Sequence, residues 1–237
     1  MADFDKYRRS GAYHWTQVDQ CWGNPFFNPP LLSRYEALAR LTPMQAKSVL
    51  DVGCGDGYLL YAIACQCPDL KLHGVDNEPL GVRLAREQLR KYECEASLTE
   101  SSAYSLPFDD SSFDVVFMAD AIEHLEHPEK ALQEVERVLK KEGTFLVSTP
   151  NQQPDIVWDR LHVREFNAAE LNGLLADYFS EVQVTACWPM WWMKQWMAGG
   201  RKQQVINTLC RLGYNPFLKT TYSPSVNYGQ LLAKCVK

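Results

Sequence analysis

The sequence predicts an α/β protein: a mainly parallel sheet with helices on both faces. Three observations carry this reading. Strand-like and helix-like segments alternate along most of the 237 residues. A buried apolar run, Val49-Leu50-Asp51-Val52, leads into the glycine-rich turn Gly53-Cys54-Gly55-Asp56-Gly57 and then into a helical pattern. An acid, Asp76, stands 19 residues after Gly57, where the next strand ends.

In chain order, residues 1–30 are polar and aromatic, with Tyr7, Tyr13, His14, Trp15 and Trp22. They close on Asn24-Pro25-Phe26-Phe27-Asn28-Pro29-Pro30, whose prolines mark a loop. Leu31, Tyr35 and Leu38 have helical spacing over 31–41. Strands are expected at about 48–53, 71–76, 96–101, 113–118, 143–149, 181–187 and 228–236, from their apolar and β-branched runs. Helices are expected between them at about 57–66, 79–92, 128–140 and 168–178. Residues 188–226 are too long for a simple connection, and four tryptophans argue for an ordered segment. No internal repeat is present.

The composition, 46% hydrophobic and 22% charged, suits one large domain spanning 1–237. The polar stretch Met1 to Lys6 lacks the apolar core of a signal peptide, and no run of 18 apolar residues exists to span a membrane. Eight cysteines are scattered without a C-x-x-C pair, which argues against a zinc or redox motif and for reduced thiols in a cytoplasmic protein. The net charge of −5 hides an asymmetry. Residues 182–237 hold seven Lys/Arg and no acid, leaving 17 basic and 29 acidic groups, a net −12, in residues 1–181. Such a tail suggests an anionic partner or a membrane surface.

The glycine turn brings backbone close to a ligand, and Asp76 stands within reach of a ribose. A spacing of about 20 residues is what a nucleotide-binding βαβ unit requires, so an adenosine-containing cofactor is expected. The spelling argues against a dinucleotide, because the position three after Gly55 is Tyr58 rather than glycine. Asp51 and Asp56 flank the turn, where carboxylates would repel a pyrophosphate but suit an ammonium and a sulfonium.

This segment resembles the first motif of class I S-adenosylmethionine-dependent methyltransferases, V-L-D-x-G-C-G-x-G. Leu72-His73-Gly74-Val75-Asp76 resembles the family's second strand and ribose acid. Ser105-Leu106-Pro107-Phe108 with Phe113-Asp114-Val115-Val116 resembles its run into the fourth strand. Ala121-Ile122-Glu123-His124-Leu125 resembles its E-H segment, and Gly143 to Pro150 its fifth strand. The match is ordered over residues 45–185 and points to the ubiquinone and small-molecule branch.

The resemblance implies a Rossmann-like seven-stranded sheet whose last two strands form an antiparallel edge pair. It divides the chain into a cap region at 1–44, a cofactor-binding core at 45–187, a lid-like insertion at 188–226 and a last strand at 227–237. It implies S-adenosylmethionine as cofactor and S-adenosylhomocysteine as product. Gly53, Gly55 and Gly57 would admit the methionine part, Asp51 would orient its amino-acid end, and Asp76 would accept both ribose hydroxyls. Asn77 would lie beside the adenine. The family's adenine-edge acid is replaced here by Ser102, followed by Ala103, a departure that weakens the contact. Ala119, closing the fourth strand, is counted with this set.

His124 follows the fourth strand, where the crevice of such sheets opens, and its near-neutral pKa suits a general base. The bland alternative is a histidine that shapes the pocket. His162, in an H-x-R-x-F run similar to that of ubiquinone- and glycan-type relatives, is expected to face the substrate. If helical from near Pro189, the segment places Trp188, Trp192 and Trp196 on one stripe, with Trp188 and Trp192 walling the acceptor pocket, unless the stripe packs on the sheet. Lys194, Arg201 and Lys202, with no acid nearby, suit an anionic membrane or a greasy anionic substrate.

Asp120, Glu123, His124 and His162 also resemble the E-x-x-E-H…H metal site of small-RNA 3′-terminal 2′-O-methyltransferases and, in part, quinone O-methyltransferases. The first position is Asp rather than Glu, and E-H is common in metal-free relatives, so no metal is expected. The expected activity is methyl transfer to oxygen or nitrogen of a small-molecule or lipid-like acceptor. A metal-dependent RNA ribose methyltransferase is the alternative, with nucleic acid disfavoured by the acidic core and the missing RNA-binding signature. A cofactor-binding module without turnover is the non-enzymatic alternative.

Overall fold

The computed structural model describes residues 6–237. The polar stretch from Met1 to Asp5, part of the signal-peptide argument, lies outside the described residues. Seven strands form one sheet in the order β3-β2-β1-β4-β5-β7-β6. They are β1 (Ser48–Val52), β2 (Lys71–Asp76), β3 (Ser97–Glu100), β4 (Phe113–Ala119), β5 (Leu139–Pro150), β6 (Glu181–Pro189) and β7 (Tyr228–Val236). β7 is antiparallel to both β5 and β6, and the other pairings are parallel. β6 therefore runs in the same direction as β5, and its carboxyl end lies with those of β1 and β4.

The period-2 alternation of the strands sorts side chains onto two faces. Val49, Val115 and Leu146 join one buried cluster, and their neighbours Leu50, Val116 and Phe145 the other. The first face is covered by α3 (Pro29–Arg40), α4 (Tyr58–Gln66), α8 (Met190–Met197) and α9 (Gly200–Arg211). The second is covered by α6 (Pro128–Val138) and α7 (Ala168–Ala176). α5 (Pro79–Lys91) flanks β2 and β3. Two short helices, α1 (Lys6–Ser10) and α2 (Tyr13–Val18), precede α3.

Local chemistry sets the boundaries. α3 starts at Pro29, inside the stretch read from sequence as loop. Asn28 caps it by accepting from the Leu31 N–H at 3.1 Å, and prolines fit a first turn whose N–H groups have no helical partner. α7 opens on a capping box between Asn167 and Glu170. α5 is capped by Glu78 ahead of Pro79. No helix among the described residues is long and apolar enough to cross a membrane.

The tryptophan stripe does not form as expected. Trp188 belongs to β6, with φ +61°, and is buried, its indole N–H donating to Ser33 Oγ at 2.8 Å. Pairing of Cys187 with Gln230 and of Pro189 with Tyr228 holds the chain in the sheet through Pro189, so helix starts only at Met190. On α8, Trp192 and Trp196 turn towards the core, and Trp196 donates to Asn207 Oδ1 on α9 at 2.9 Å. The outward face carries Trp191, Lys194 and Met197 instead.

Candidate active site

β1 delivers Asp51 and the glycine turn to the carboxyl edge of the sheet. Gly53, Gly55 and Gly57 adopt φ of +79°, +53° and +80°, the left-handed region in which a Cβ is costly. A methyl at Gly55 would collide with the Tyr7 hydroxyl, so the turn is tightly roofed by α1. Asp76 braces it: one carboxylate oxygen accepts from the Gly55 N–H and the other from the Glu78 N–H, each at 2.8 Å. Each oxygen keeps a further lone pair, so both ribose hydroxyls of a nucleoside still find an acceptor. Burial raises the Asp76 pKa, opposed by these backbone donors.

Asp51 and Asp56 separate into different roles. Asp51 is buried, and its Oδ1 has no hydrogen-bond partner. Burial, then the neighbouring Asp76, pushes its pKa up to about 8, against Arg34. An ammonium would supply the missing partner. Asp56 is buried and engaged by the chain itself. Its carboxylate accepts from the His14 N–H at 3.0 Å and meets His14 Nδ1 at 2.9 Å, and its carbonyl accepts from Trp15 Nε1 at 2.7 Å. The sequence reading paired Asp56 with the ligand's positive charge; the structure spends it on α2.

Asn77 is exposed beyond the end of β2, and Ser102 and Ala103 are half-buried after β3. The Ser102 hydroxyl accepts from the Tyr104 N–H at 3.1 Å, a local turn that leaves its O–H to donate. Ala119 is half-buried at the end of β4.

Beyond β4 the chain makes a tight turn. Asp120 sits at φ +46° and binds the buried Arg34 guanidinium of α3, while its Oδ1 accepts from Ser148 Oγ at 2.7 Å and Gln230 Nε2 at 2.6 Å. Burial works against the Arg34 charge, and Asp120, Tyr35 and Glu123 together more than offset it. This ion pair, 86 residues apart in sequence, was absent from the sequence reading. Its only sequence signal is an arginine set among Leu31, Leu32, Tyr35 and Leu38 on an otherwise apolar helix.

Glu123, His124 and His162 converge, with one donor atom from each within 4.8 Å of the others. Glu123 is buried, its Oε2 accepting from Thr149 Oγ1 at 3.0 Å and its Oε1 without a partner. Burial, then Asp120, raises its pKa well above the usual carboxylate range. His124 Nδ1 lies 3.2 Å from the Leu161 carbonyl, and His162 Nδ1 lies 3.1 Å from Glu165 Oε1. Burial lowers the His124 pKa, with the Leu161 contact opposing and His162 adding to it. The loop is stitched down by Val163 and Arg164 N–H groups donating to the Glu123 carbonyl, at 2.9 and 3.2 Å. Lys6 of α1 pairs with Asp159 of the same loop. Asp120, committed to Arg34, does not join the donor cluster.

Trp188 packs edge-on to Trp158, with ring centroids 6.4 Å apart, and Trp192 is half-buried on α8. Among the described residues, four of the five buried side-chain atoms without a hydrogen-bond partner are Arg34 Nε, Asp51 Oδ1, Glu123 Oε1 and Gln230 Oε1. All four residues gather at the carboxyl end of the sheet. Buried polar atoms are nearly always paired, so this concentration marks a ligand site.

A Rossmann-like seven-stranded sheet, with a left-handed glycine turn after β1 and an acid closing β2, has the form of the class I S-adenosylmethionine-dependent methyltransferase fold. The chain belongs to the methyltransferase-domain family, whose model matches residues 44–212. Among known proteins it is similar to a probable S-adenosylmethionine-dependent methyltransferase of Mycobacterium tuberculosis, 38% identical over 145 residues, covering 58% of this chain and 50% of that protein. It is also similar to the phthiotriol/phenolphthiotriol dimycocerosates methyltransferase of Mycobacterium tuberculosis, 28% identical and covering 60% and 56%. The chain spans about half the length of the curated relatives it matches. A solved structure of phosphoethanolamine N-methyltransferase 2 from Haemonchus contortus, with phosphomonomethylethanolamine and S-adenosylhomocysteine, shares the fold at a TM-score of 0.68. It is 21% identical and covers 98% of this chain and 58% of that one. S-adenosylmethionine is thus the cofactor, and the unpaired Asp51 oxygen and the spare lone pairs of Asp76 would suit its ammonium and ribose.

Proposed function

We propose that this chain transfers the methyl group of S-adenosylmethionine to an oxygen or nitrogen of a small-molecule or lipid-like acceptor. The carrying observation is the gathering of unpaired buried polar atoms at one end of the sheet, Asp51 of β1 on the cofactor side with Glu123 after β4, Arg34 of α3 and Gln230 of β7 beside it. The bound cofactor supplies a sulfonium methyl as electrophile, so the protein's work is positioning and proton removal. Asp51 holds the amino-acid end, and Asp76 the ribose. Ser102, Ala103 and Asn77 border the adenine, and Ala119 the cofactor's inner side. His124, held at Nδ1 by Leu161, takes the acceptor's proton. A lowered pKa keeps it unprotonated and ready as a base near neutral pH. His162, Trp188 and Trp192 shape the acceptor pocket, with residues 188–226 over it. The lipid methyltransferase relative supports the lipid-like class.

A second reading is favoured by the converging donors. Glu123, His124 and His162 would hold a divalent ion, whose Lewis acidity would acidify an acceptor hydroxyl, a ribose 2′-hydroxyl included. Orientation of both imidazoles through Nδ1 fits ligation through Nε2.

The test is incubation of the purified chain with methyl-labelled cofactor and fractionated small-molecule and lipid extracts, read by mass spectrometry. Label in a defined O- or N-methyl product supports the proposal. Label in RNA alone, or cofactor binding with no product from any fraction, overturns it. Activity abolished by a chelator and restored by magnesium or manganese selects the second reading.

A further inference from the structure

The outward face of α8 and the turn that follows α9 carry exposed aromatic and aliphatic side chains. Trp191 is 65% exposed, Leu212 69% and Tyr214 58%. The loop before α3 adds Trp22 and Phe26, at 65% and 66%. Ring and cation contacts link several of these groups. Trp191 packs edge-on to Trp192 at 4.8 Å, and Trp192 meets Tyr214 at 6.3 Å. Arg211, three residues before Tyr214, lies over the Trp22 ring at 5.7 Å and donates to the Gln20 and Asn24 carbonyls, at 3.1 and 2.9 Å. Asn207 Nδ2 donates to the Phe27 carbonyl at 3.2 Å. The loop and α9 are thus welded together, and their aromatic groups face outward on a fixed support.

The charge on the α8–α9 part of this surface is of one sign. Residues 182–237 contain no acid, and among the described residues none of the exposed cations Lys194, Arg201 and Lys202 is paired with a carboxylate. Lys202 reaches only Gln195 Oε1, at 2.7 Å. Asp19, the acid of the loop, turns one carboxylate oxygen onto the Cys21 N–H at 3.0 Å. Tryptophan and tyrosine interleaved with unpaired Lys and Arg is the composition that settles at a lipid headgroup layer.

We propose that this face, Trp22 and Phe26 with Trp191, Lys194, Arg201 and Lys202, docks on an anionic lipid bilayer. The proposal deepens the lipid-like acceptor reading and rests on it for its purpose. α8 starts at the end of β6, on the side where the crevice opens. Docking there brings the mouth of the acceptor pocket to the headgroups, so a membrane-resident acceptor need not leave the bilayer to reach the methyl.

The experiment is co-sedimentation of the full chain with phosphatidylglycerol/phosphatidylcholine vesicles and with pure phosphatidylcholine vesicles, at about 50 mM and about 500 mM salt. Binding to the anionic vesicles, weakened by salt, is expected. Each cation beside an anionic surface contributes a factor of about five, so Arg201→Gln/Lys202→Gln should weaken binding about 25-fold. Trp22→Ala/Trp191→Ala should weaken it at least roughly tenfold. These positions are solvent-exposed, and unchanged S-adenosylhomocysteine affinity confirms that each variant is folded. Absent binding at low salt, equal binding to neutral vesicles, or binding unmoved in both variants overturns the proposal. The vesicles contain no acceptor and the readout is not turnover, so failure here is distinct from failure of the proposed activity.

Discussion

If Asp51 holds the cofactor's ammonium, cofactor binding is expected to be coupled to proton release. With burial pushing its pKa up to about 8 and one oxygen unpartnered, the carboxyl is mostly protonated at neutral pH in the ligand-free chain. A cofactor ammonium requires the carboxylate, so binding must expel that proton. With a pKa of about 8, roughly nine Asp51 side chains in ten are protonated at pH 7, and about 0.9 proton leaves per cofactor bound. Apparent affinity is proportional to the ionised fraction and should rise about tenfold per pH unit between about pH 6 and 7. The window closes near pH 8, where an α-amino group itself titrates. Calorimetric titration in two buffers of different ionisation heat measures the released proton directly. Asp51→Asn should bind weakly, with neither the pH slope nor the buffer-dependent heat. A flat affinity between about pH 6 and 7.5, with heats independent of buffer, would refute the assignment of Asp51 to the ammonium.

Three further outcomes are expected. Asp76→Ala removes charge-assisted bonds worth roughly 1.5–3 kcal/mol, so calorimetry should show about tenfold to a hundredfold weaker cofactor binding. His124→Ala should lower turnover on the identified acceptor about 100-fold with cofactor affinity near wild type, and unchanged turnover would reduce the residue to pocket shape. Arg34→Met strands the Asp120 carboxylate in a buried site, and denaturant unfolding should report a loss of about 3–5 kcal/mol.

The central strands were legible from apolar runs such as Val115 to Ala119 and Phe145 to Val147, and the crossover helices from stripes at the 3.6-residue period. The glycine turn was legible because only glycine tolerates three left-handed residues so close together. What depends on distant partners was not. Nothing local to Asp56 says that it is taken by His14 and Trp15, 42 and 41 residues earlier, rather than by a ligand. Trp188, Trp192 and Trp196 have helical spacing, but strand pairing along β7 and the bond to Ser33 override that periodicity at Trp188. Glu123, His124 and His162 were singled out from the sequence, and their convergence depends on the loop after β5 folding back onto the Glu123 carbonyl.

The position of β7 bears on how this chain is made. It is the last strand in sequence, yet it lies inside the sheet, between β5 and β6. While the ribosome is still building residues 190–227, β5 and β6 both present open strand edges that no other segment fills. Those edges are templates for the wrong partner. The five-stranded half from β3 to β5 has its contacts early, whereas β6 can join only through a strand that does not yet exist. Assembly of that side is thereby tied to the synthesis of residues 228–236, and the interval before it is when a holding chaperone would matter most.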